Sequence, residues 1–313
     1  MTPSTVERRI RAGLPLIRFL QVRLPLRWTR GPLRRTTARA RVPADVTRAA
    51  ASADGVPCEW LIPQGSPPNQ ALVYLHGGGF VLGVTPQHIG MVAHLARTMG
   101  VRALMVDYRL APEHPYPAAL DDCVAAYRWL LRQGLAPQNI VLAGDSAGGN
   151  LALTTLMKLR DGGEPLPAAA ACLSPVADLT ERPGPARFQD PLLPLKAVRF
   201  YNTSYVAQGD AHDPLISPIY GDWRGLPPLL VHVGEEEMLR DDAVRLAAAA
   251  RAAGVDVRLE VYPRMWHVWQ LFPALPQAIA SLDDIARFLK AHLGLGMPMP
   301  ELSPAPLPSG ARP

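Results

Sequence analysis

Cysteine is scarce in this chain of 313 residues: Cys58, Cys123 and Cys172 are the only three. None stands at metal-ligand spacing from another, and each falls inside a strand or helix pattern. Buried free thiols of a reducing, cytoplasmic compartment are therefore expected, rather than a disulfide framework or a metal site. Long apolar runs are missing too. No stretch approaches the roughly 20 residues that span a bilayer, and Arg18 and Arg23 interrupt the only apolar stretch near the N-terminus, so no secretory signal is expected. No phosphate loop, cofactor fingerprint or repeat is visible, so the sequence implies no cofactor. Aromatic residues make up 6% of the chain. A nucleic-acid partner would require stacking aromatics on a matching fold, and neither is seen.

What the chain does have is a strand, a glycine-bracketed serine and a helix in immediate succession. The apolar run 139–143 leads into Gly144-Asp145-Ser146-Ala147-Gly148-Gly149, and a helical pattern follows from Asn150 to Arg160. That order makes a nucleophile elbow. The turn strains the serine, and glycines two residues to either side remove Cβ atoms that would collide with the neighbouring strand and helix. The hydroxyl then stands at the carboxyl end of a sheet, near a helix N-terminus whose dipole favours negative charge. A bare G-x-S-x-G also arises by chance, and a helix N-cap serine looks the same. The weight of Ser146 comes from its partners.

The first partner is His76-Gly77-Gly78-Gly79-Phe80, directly after the apolar run 71–75. Attack on a carbonyl places negative charge on its oxygen, and consecutive glycines let backbone N–H groups approach that oxygen closely. The amides of Gly78 and Gly79, with that of Ala147 after the nucleophile, are the expected oxyanion hole. A flexible glycine loop is the plainer alternative.

The other partners are an acid and a histidine, which in this type of fold follow the serine in that order. Of the eight histidines, only His232, His267 and His292 come after Ser146. His232 lies within the strand pattern 229–233, and His292 ends the helical pattern from Ile279 to Leu293, where a solvent-facing residue favoured by the helix C-terminus is the default. His267 remains, in a short loop after the strand pattern 257–262. The loop after strand 229–233 offers Glu235, Glu236, Glu237, Asp241 and Asp242. A carboxylate there would accept the other ring N–H of His267 and leave Nε2 free to take the serine proton. Glu237 is the preferred acid and Asp241 the reserve. The remaining acids suit the start of a helix from Met238 to Ala253.

On these motifs the chain resembles the hormone-sensitive-lipase group of α/β-hydrolases, bacterial family IV carboxylesterases with a His-Gly-Gly-Gly oxyanion motif and a Gly-Asp-Ser-Ala-Gly elbow. The resemblance runs from about Val56 to Leu293. It includes the segment from Asp107 to Asp122 and Asp213-Pro214-Leu215-Ile216-Ser217-Pro218. Within the group, Trp266-His267-Val268-Trp269-Gln270-Leu271-Phe272 is similar to monoterpene ε-lactone hydrolases. One departure is Glu237, where the family usually has Asp in Asp-Pro-Leu-x-Asp; a Glu is one methylene longer, which keeps Asp241 open. The proline-rich loop 108–122 reads as scaffold, and the resemblance implies that Arg109 or Glu113 braces the oxyanion loop; a plain surface turn is the competing reading.

Eight strand patterns, mostly separated by helical ones, predict an α/β fold with a largely parallel sheet covered by helices on both faces, opened by an antiparallel hairpin at Asp54-Gly55. Residues 43–293 form the expected α/β-hydrolase domain. Residues 1–42 and an insertion at about 180–212 read as cap segments over the Ser146 cleft, and 294–313 as a disordered tail. Phe80, Leu215, Trp266 and Tyr201 are the expected substrate-pocket residues. Residues 1–41 hold eleven arginines against Glu7, a net +10 in a chain of net +5. Such an arm either caps the cleft as a solvated helix or makes a peripheral contact with an anionic membrane.

The expectation is a serine carboxylesterase acting through an acyl-enzyme on short- to medium-chain esters, up to about eight carbons by the resemblance. A lactone hydrolase would use the same machinery. A peptidase would need an extra substrate-binding domain, and a non-catalytic ligand receptor on this scaffold would be expected to lack one of the three residues. The strand at 257–262 is a candidate edge for pairing in a homodimer.

Overall fold

The computed structural model describes residues 4–180 and 190–293. The tail from Gly294 onward, and residues 181–189 of the expected insertion, lie outside the described residues.

Eight strands form one sheet: β1 Val46–Ala53, β2 Val56–Pro63, β3 Ala71–Leu75, β4 Arg102–Val106, β5 Ile140–Asp145, β6 Ala169–Leu173, β7 Leu229–Gly234 and β8 Val257–Tyr262. Their order is β1-β2-β4-β3-β5-β6-β7-β8, which leaves β1 and β8 at the edges. The β1–β2 hairpin is antiparallel, and β2 also runs antiparallel to β4. Every pairing from β4 across to β8 is parallel. Strands β3, β5, β6 and β7 are buried along their whole length, as parallel strands covered on both faces must be.

The covering helices are α3 Pro86–Met99 and α8 Pro276–His292 on one face, with α4 Ala118–Arg132, α5 Ala147–Asp161 and α7 Arg240–Ala252 on the other. Helix α5 starts at Ala147, earlier than the apolar pattern indicates, because the elbow feeds it directly. Helix α8 starts at Pro276, where a proline at the first helical position loses no hydrogen bond. Helix α7 starts at Arg240, so Glu237 belongs to the preceding turn and not to the helix.

The strand order places the chemistry. Strand β3 pairs with β4 on one side and β5 on the other, so the chain winds in opposite directions from this point. Ligands in open α/β sheets bind outside the carboxyl ends of the strands at such a switch. With Leu75 paired to Gly144, the loops after β3 and β5 emerge side by side, and these carry the triple glycine and Ser146.

Among the described residues, three helices lie off the sheet: α1 Thr5–Arg23, α2 Leu26–Ala38 and α6 Leu195–Val206. Ser4 caps α1 by accepting from the Glu7 amide at 3.1 Å. Leu14 of α1 joins Leu192, Met265, Trp266, Trp269 and Leu275 in a separate apolar cluster, which packs α1 against the loop that carries His267.

Candidate active site

Ser146 sits between β5 and α5 with φ 53° and ψ −118°. A non-glycine residue adopts such a backbone only when its surroundings hold it there. They do so by close approach. A Cβ at Gly144 would fall 2.3 Å from the Gly148 carbonyl oxygen, and one at Gly148 would fall 1.9 Å from that of Leu75. The Ser146 amide donates to the Leu173 carbonyl at 2.8 Å, which ties the turn to β6.

His267 reaches Ser146 from the loop after β8. That loop crosses the end of β7 at Gly234, where a Cβ would lie 2.4 Å from the Met265 carbonyl oxygen. The crossing delivers the imidazole onto the next turn of β7. Glu237 Oε2 accepts from His267 Nδ1 at 2.7 Å, and His267 Nε2 accepts the Ser146 hydroxyl at 2.8 Å. The other Glu237 oxygen accepts from the Gly234 amide at 2.6 Å and the Ser174 hydroxyl at 2.8 Å. Both carboxylate oxygens are thus engaged, with the acid aimed at one ring nitrogen. Asp241 instead lies in the first turn of α7.

Burial shapes the charges of this pair. It disfavours the imidazolium of His267, but the hydrogen bond and charge of Glu237 outweigh it and hold the His267 pKa above the ordinary 6.5. Burial also raises Glu237, against the lowering effect of His267 and the Gly234 amide. A second carboxylate, Asp190, brings a side-chain oxygen within 4.8 Å of ligand atoms of Glu237 and His267. That geometry resembles a cation cradle, yet the oxygens of Asp190 already accept from the amides of Leu192, Leu193 and Met238. The group reads as a hydrogen-bonded network that ties the acid turn to the start of α6.

Beside Ser146, Gly78 and Gly79 have φ of 117° and 61°, in the region that favours glycine. The amides of Gly78, Gly79 and Ala147 donate to no protein acceptor among the described residues. His76 lies behind the glycines. Burial pushes its pKa down to about 4, so the neutral ring donates from Nδ1 to the Gly77 carbonyl at 2.8 Å. Tyr108 stacks on that ring at 4.2 Å and donates to the His76 carbonyl at 2.7 Å.

The braces of this loop differ from those expected. Arg109 pairs with Asp122 on α4 at 2.8 Å, which fixes the proline-rich loop and not the glycines. Glu113 acts through Arg30 of α2, which it binds at 2.7 Å; Arg30 in turn donates to the Val81 carbonyl at 2.7 Å and to that of Ala111. The strongest tie is Asp145, a residue of the elbow itself. Its Oδ1 accepts from the Gly77 amide and the Tyr74 hydroxyl, and its Oδ2 faces His88 Nε2 at 3.2 Å. Sequence reasoning missed Asp145, Tyr74, His88, Ser174 and Asp190. For Asp145 and Ser174 a signal existed, since each stands at the carboxyl end of a central strand.

The four expected pocket residues separate into two pairs. Tyr201 of α6 packs on Gly79, where a Cβ would lie 2.5 Å from the ring, and Leu215 is partly buried against the main core. Phe80 and Trp266 present no surface. The Phe80 ring is stacked on Tyr205 at 3.7 Å, and Trp266 is enclosed between α1 and Phe272. Their aromatic bulk supports the loops around the site from behind.

Comparison with known proteins gives consistent results. The family described as alpha/beta hydrolase fold matches residues 72–271. An acetyl-hydrolase of Streptomyces hygroscopicus is 43% identical over 76% of this chain and 81% of its own length. The putative acetyl-hydrolase LipR of Mycobacterium tuberculosis is 36% identical over 91% of this chain and 92% of its own. Among solved structures, an esterase from the bacterial hormone-sensitive lipase family superposes with a TM-score of 0.85 at 40% identity, covering 94% of this chain and all of that one.

Proposed function

The chain belongs to the α/β-hydrolase fold family, as a serine carboxylic ester hydrolase of the hormone-sensitive-lipase group, and we propose that it cleaves short- to medium-chain esters with Ser146 as nucleophile, His267 as proton shuttle and Glu237 as the orienting acid. The observation that carries this reading is the continuous chain from Glu237 to His267 at 2.7 Å and from His267 to Ser146 at 2.8 Å, beside the Gly78, Gly79 and Ala147 amides.

The chemistry follows from that geometry. As Ser146 Oγ attacks the carbonyl carbon, His267 Nε2 takes its proton, and the buried carboxylate of Glu237 stabilises the imidazolium. The carbonyl oxygen gains the electron pair and is held by the glycine and Ala147 amides. Collapse of the tetrahedral adduct expels the alkoxide, which receives the proton from His267 and leaves an acyl-serine. Water then repeats the sequence, releasing the carboxylic acid and restoring the hydroxyl.

We assign α1, α2 and α6 to a cap over this site. The packing of Tyr201 on Gly79 supports that assignment, as does the insertion of Leu14 beside Trp266. A cap side chain resting on the oxyanion glycines leaves limited depth for an acyl chain, and acetyl-hydrolase is the name that two relatives bear. The test is a panel of p-nitrophenyl esters from C2 to C16 with a lactone added. An initial burst and a maximum at the short end are expected; a preference for long chains or for the lactone would overturn the substrate assignment.

A further inference from the structure

Capping the site uses the inner face of the N-terminal arm and leaves its outer face without a role. Of the ten large apolar side chains that stand exposed among the described residues, seven lie between Val6 and Trp28. Trp28 is 66% exposed, Leu16 62% and Phe19 57%. A scattered exposed apolar residue is ordinary, but a contiguous set marks a surface that meets something. Helix α1 turns one face to the body, burying Glu7 and Leu14. Leu16 and Leu20 stand four residues apart on the opposite face, one above the other, and the helix places Phe19 beside them.

Charge completes the description of this surface. The first 41 residues carry eleven arginines and one acid, whereas the rest of the chain is net negative. Three of these arginines point inward. Arg11 pairs with Glu236 at 2.8 Å and with Glu7, Arg18 binds the Asp190 carbonyl, and Arg30 binds Glu113 and the Val81 carbonyl. Arg9, Arg23, Arg27 and Arg35 are exposed along the apolar strip. An apolar strip flanked by exposed arginines has the chemistry of a helix lying in the headgroup region of a bilayer.

We propose that α1 and α2 dock this protein on an anionic phospholipid surface, with the apolar strip entering the headgroup boundary and the exposed arginines meeting phosphates. A second copy is the poorer occupant, because a two-fold contact would face this arm with itself and oppose like charges. Arg11, Arg18 and Arg30 tie the arm to the turn next to Glu237, to Asp190 and to the loop after the glycines. A docked arm therefore holds the mouth of the site near the lipid, and esters dissolved in the membrane become its substrates. The docking stands apart from the hydrolase assignment; only that last consequence rests on it.

The experiment is co-sedimentation of the full chain with vesicles of phosphatidylglycerol and phosphatidylcholine, and with vesicles of phosphatidylcholine alone. Binding to the anionic vesicles is expected, and it should weaken in about 1 M salt, where the screening length falls to about 3 Å. Arg9→Gln/Arg27→Gln should lower the partition coefficient on the order of 30-fold, about fivefold for each charge. Phe19→Ser/Leu20→Ser should lower it at least roughly tenfold through lost apolar burial. Both variants should retain the wild-type far-UV circular dichroism and the wild-type rate on water-soluble p-nitrophenyl acetate. A wild-type chain that stays in the supernatant, or that partitions equally to neutral vesicles, overturns the proposal. So does a wild-type dimer that Phe19→Ser/Leu20→Ser converts to monomer without any vesicle binding. A chain that binds anionic vesicles yet cleaves no ester supports the docking and refutes the hydrolytic reading instead.

Discussion

The carboxylate of Asp145 accepts a hydrogen bond from the Gly77 amide at 3.0 Å, so the residue before the candidate nucleophile holds the first glycine of the candidate oxyanion loop. The two positions define each other. A Cβ at Gly77 would fall 2.1 Å from the other Asp145 oxygen, so only a glycine admits this carboxylate, and the carboxylate in turn sets where the following amides point.

Asp145→Asn tests that coupling. The Thr85 amide donates to His88 Nδ1 at 3.0 Å, which leaves Nε2 protonated and facing Asp145. An Asn amide there would oppose a donor to a donor, or give up the Gly77 and Tyr74 bonds. A loss of about 1–3 kcal/mol in urea unfolding is expected, with a fall in kcat larger than any rise in KM. Burial favours the neutral acid, but the His88, Tyr74 and Gly77 contacts outweigh it and hold the Asp145 carboxyl below the usual 3.8. Its contribution to stability should therefore be present above that value and be lost only on stronger acidification. An unchanged kcat in the Asn variant would count against the coupling.

Ser146→Ala removes the proposed attacking oxygen while keeping a small side chain at the strained turn. A drop in kcat on the order of 10⁴–10⁶ is expected, with the far-UV circular dichroism and melting transition retained. Turnover at the wild-type rate would refute the covalent mechanism.

The acid is tested by comparing two substitutions. Glu237→Gln presents an amide to the Gly234 N–H, the Ser174 hydroxyl and His267 Nδ1–H together, and its own N–H₂ matches none of these donors. A fall in kcat on the order of 10³–10⁴ is expected, whereas Asp241→Ala, in the first turn of α7, should leave kcat within about twofold of the wild type. The reverse ranking would move the role to Asp241.

The pH profile follows from the sign of the His267 shift. Burial pulls the imidazole down, but Glu237 raises it more, so its pKa lies above 6.5. The base must be neutral to accept the serine proton. The kcat/KM should therefore fall as pH drops, with a midpoint above 6.5, and Glu237→Gln should carry that midpoint to lower pH. A wild-type midpoint below 6.5 would contradict the assignment.

Much of this architecture was legible in the residue order. The apolar runs 71–75 and 139–143 and the strand pattern 257–262 reappear as β3, β5 and β8 with shifts of no more than two residues, because short apolar runs bounded by turn residues mark strands locally. The helix containing Asp241 was read two residues too early, since acids suit both a helix start and the turn before it. Asp145 was passed over because its partners, Gly77, Tyr74 and His88, come from elements far away in the chain.

What the sequence determined by itself was the parts list: a serine on a glycine-bracketed turn, a glycine triplet after an earlier strand, and acid and histidine after the serine, in the order this fold requires. Those are properties of local backbone pattern, which neighbouring residues decide. The sequence preferred Glu237 and kept Asp241 in reserve; only the tertiary structure shows how a carboxylate of that run meets the imidazole, by passing the Met265 carbonyl over Gly234. It alone also decided which face of α1 would be left outward. Both outcomes depend on the close approach of segments remote in sequence, and such contacts leave no periodic trace in the chain that makes them.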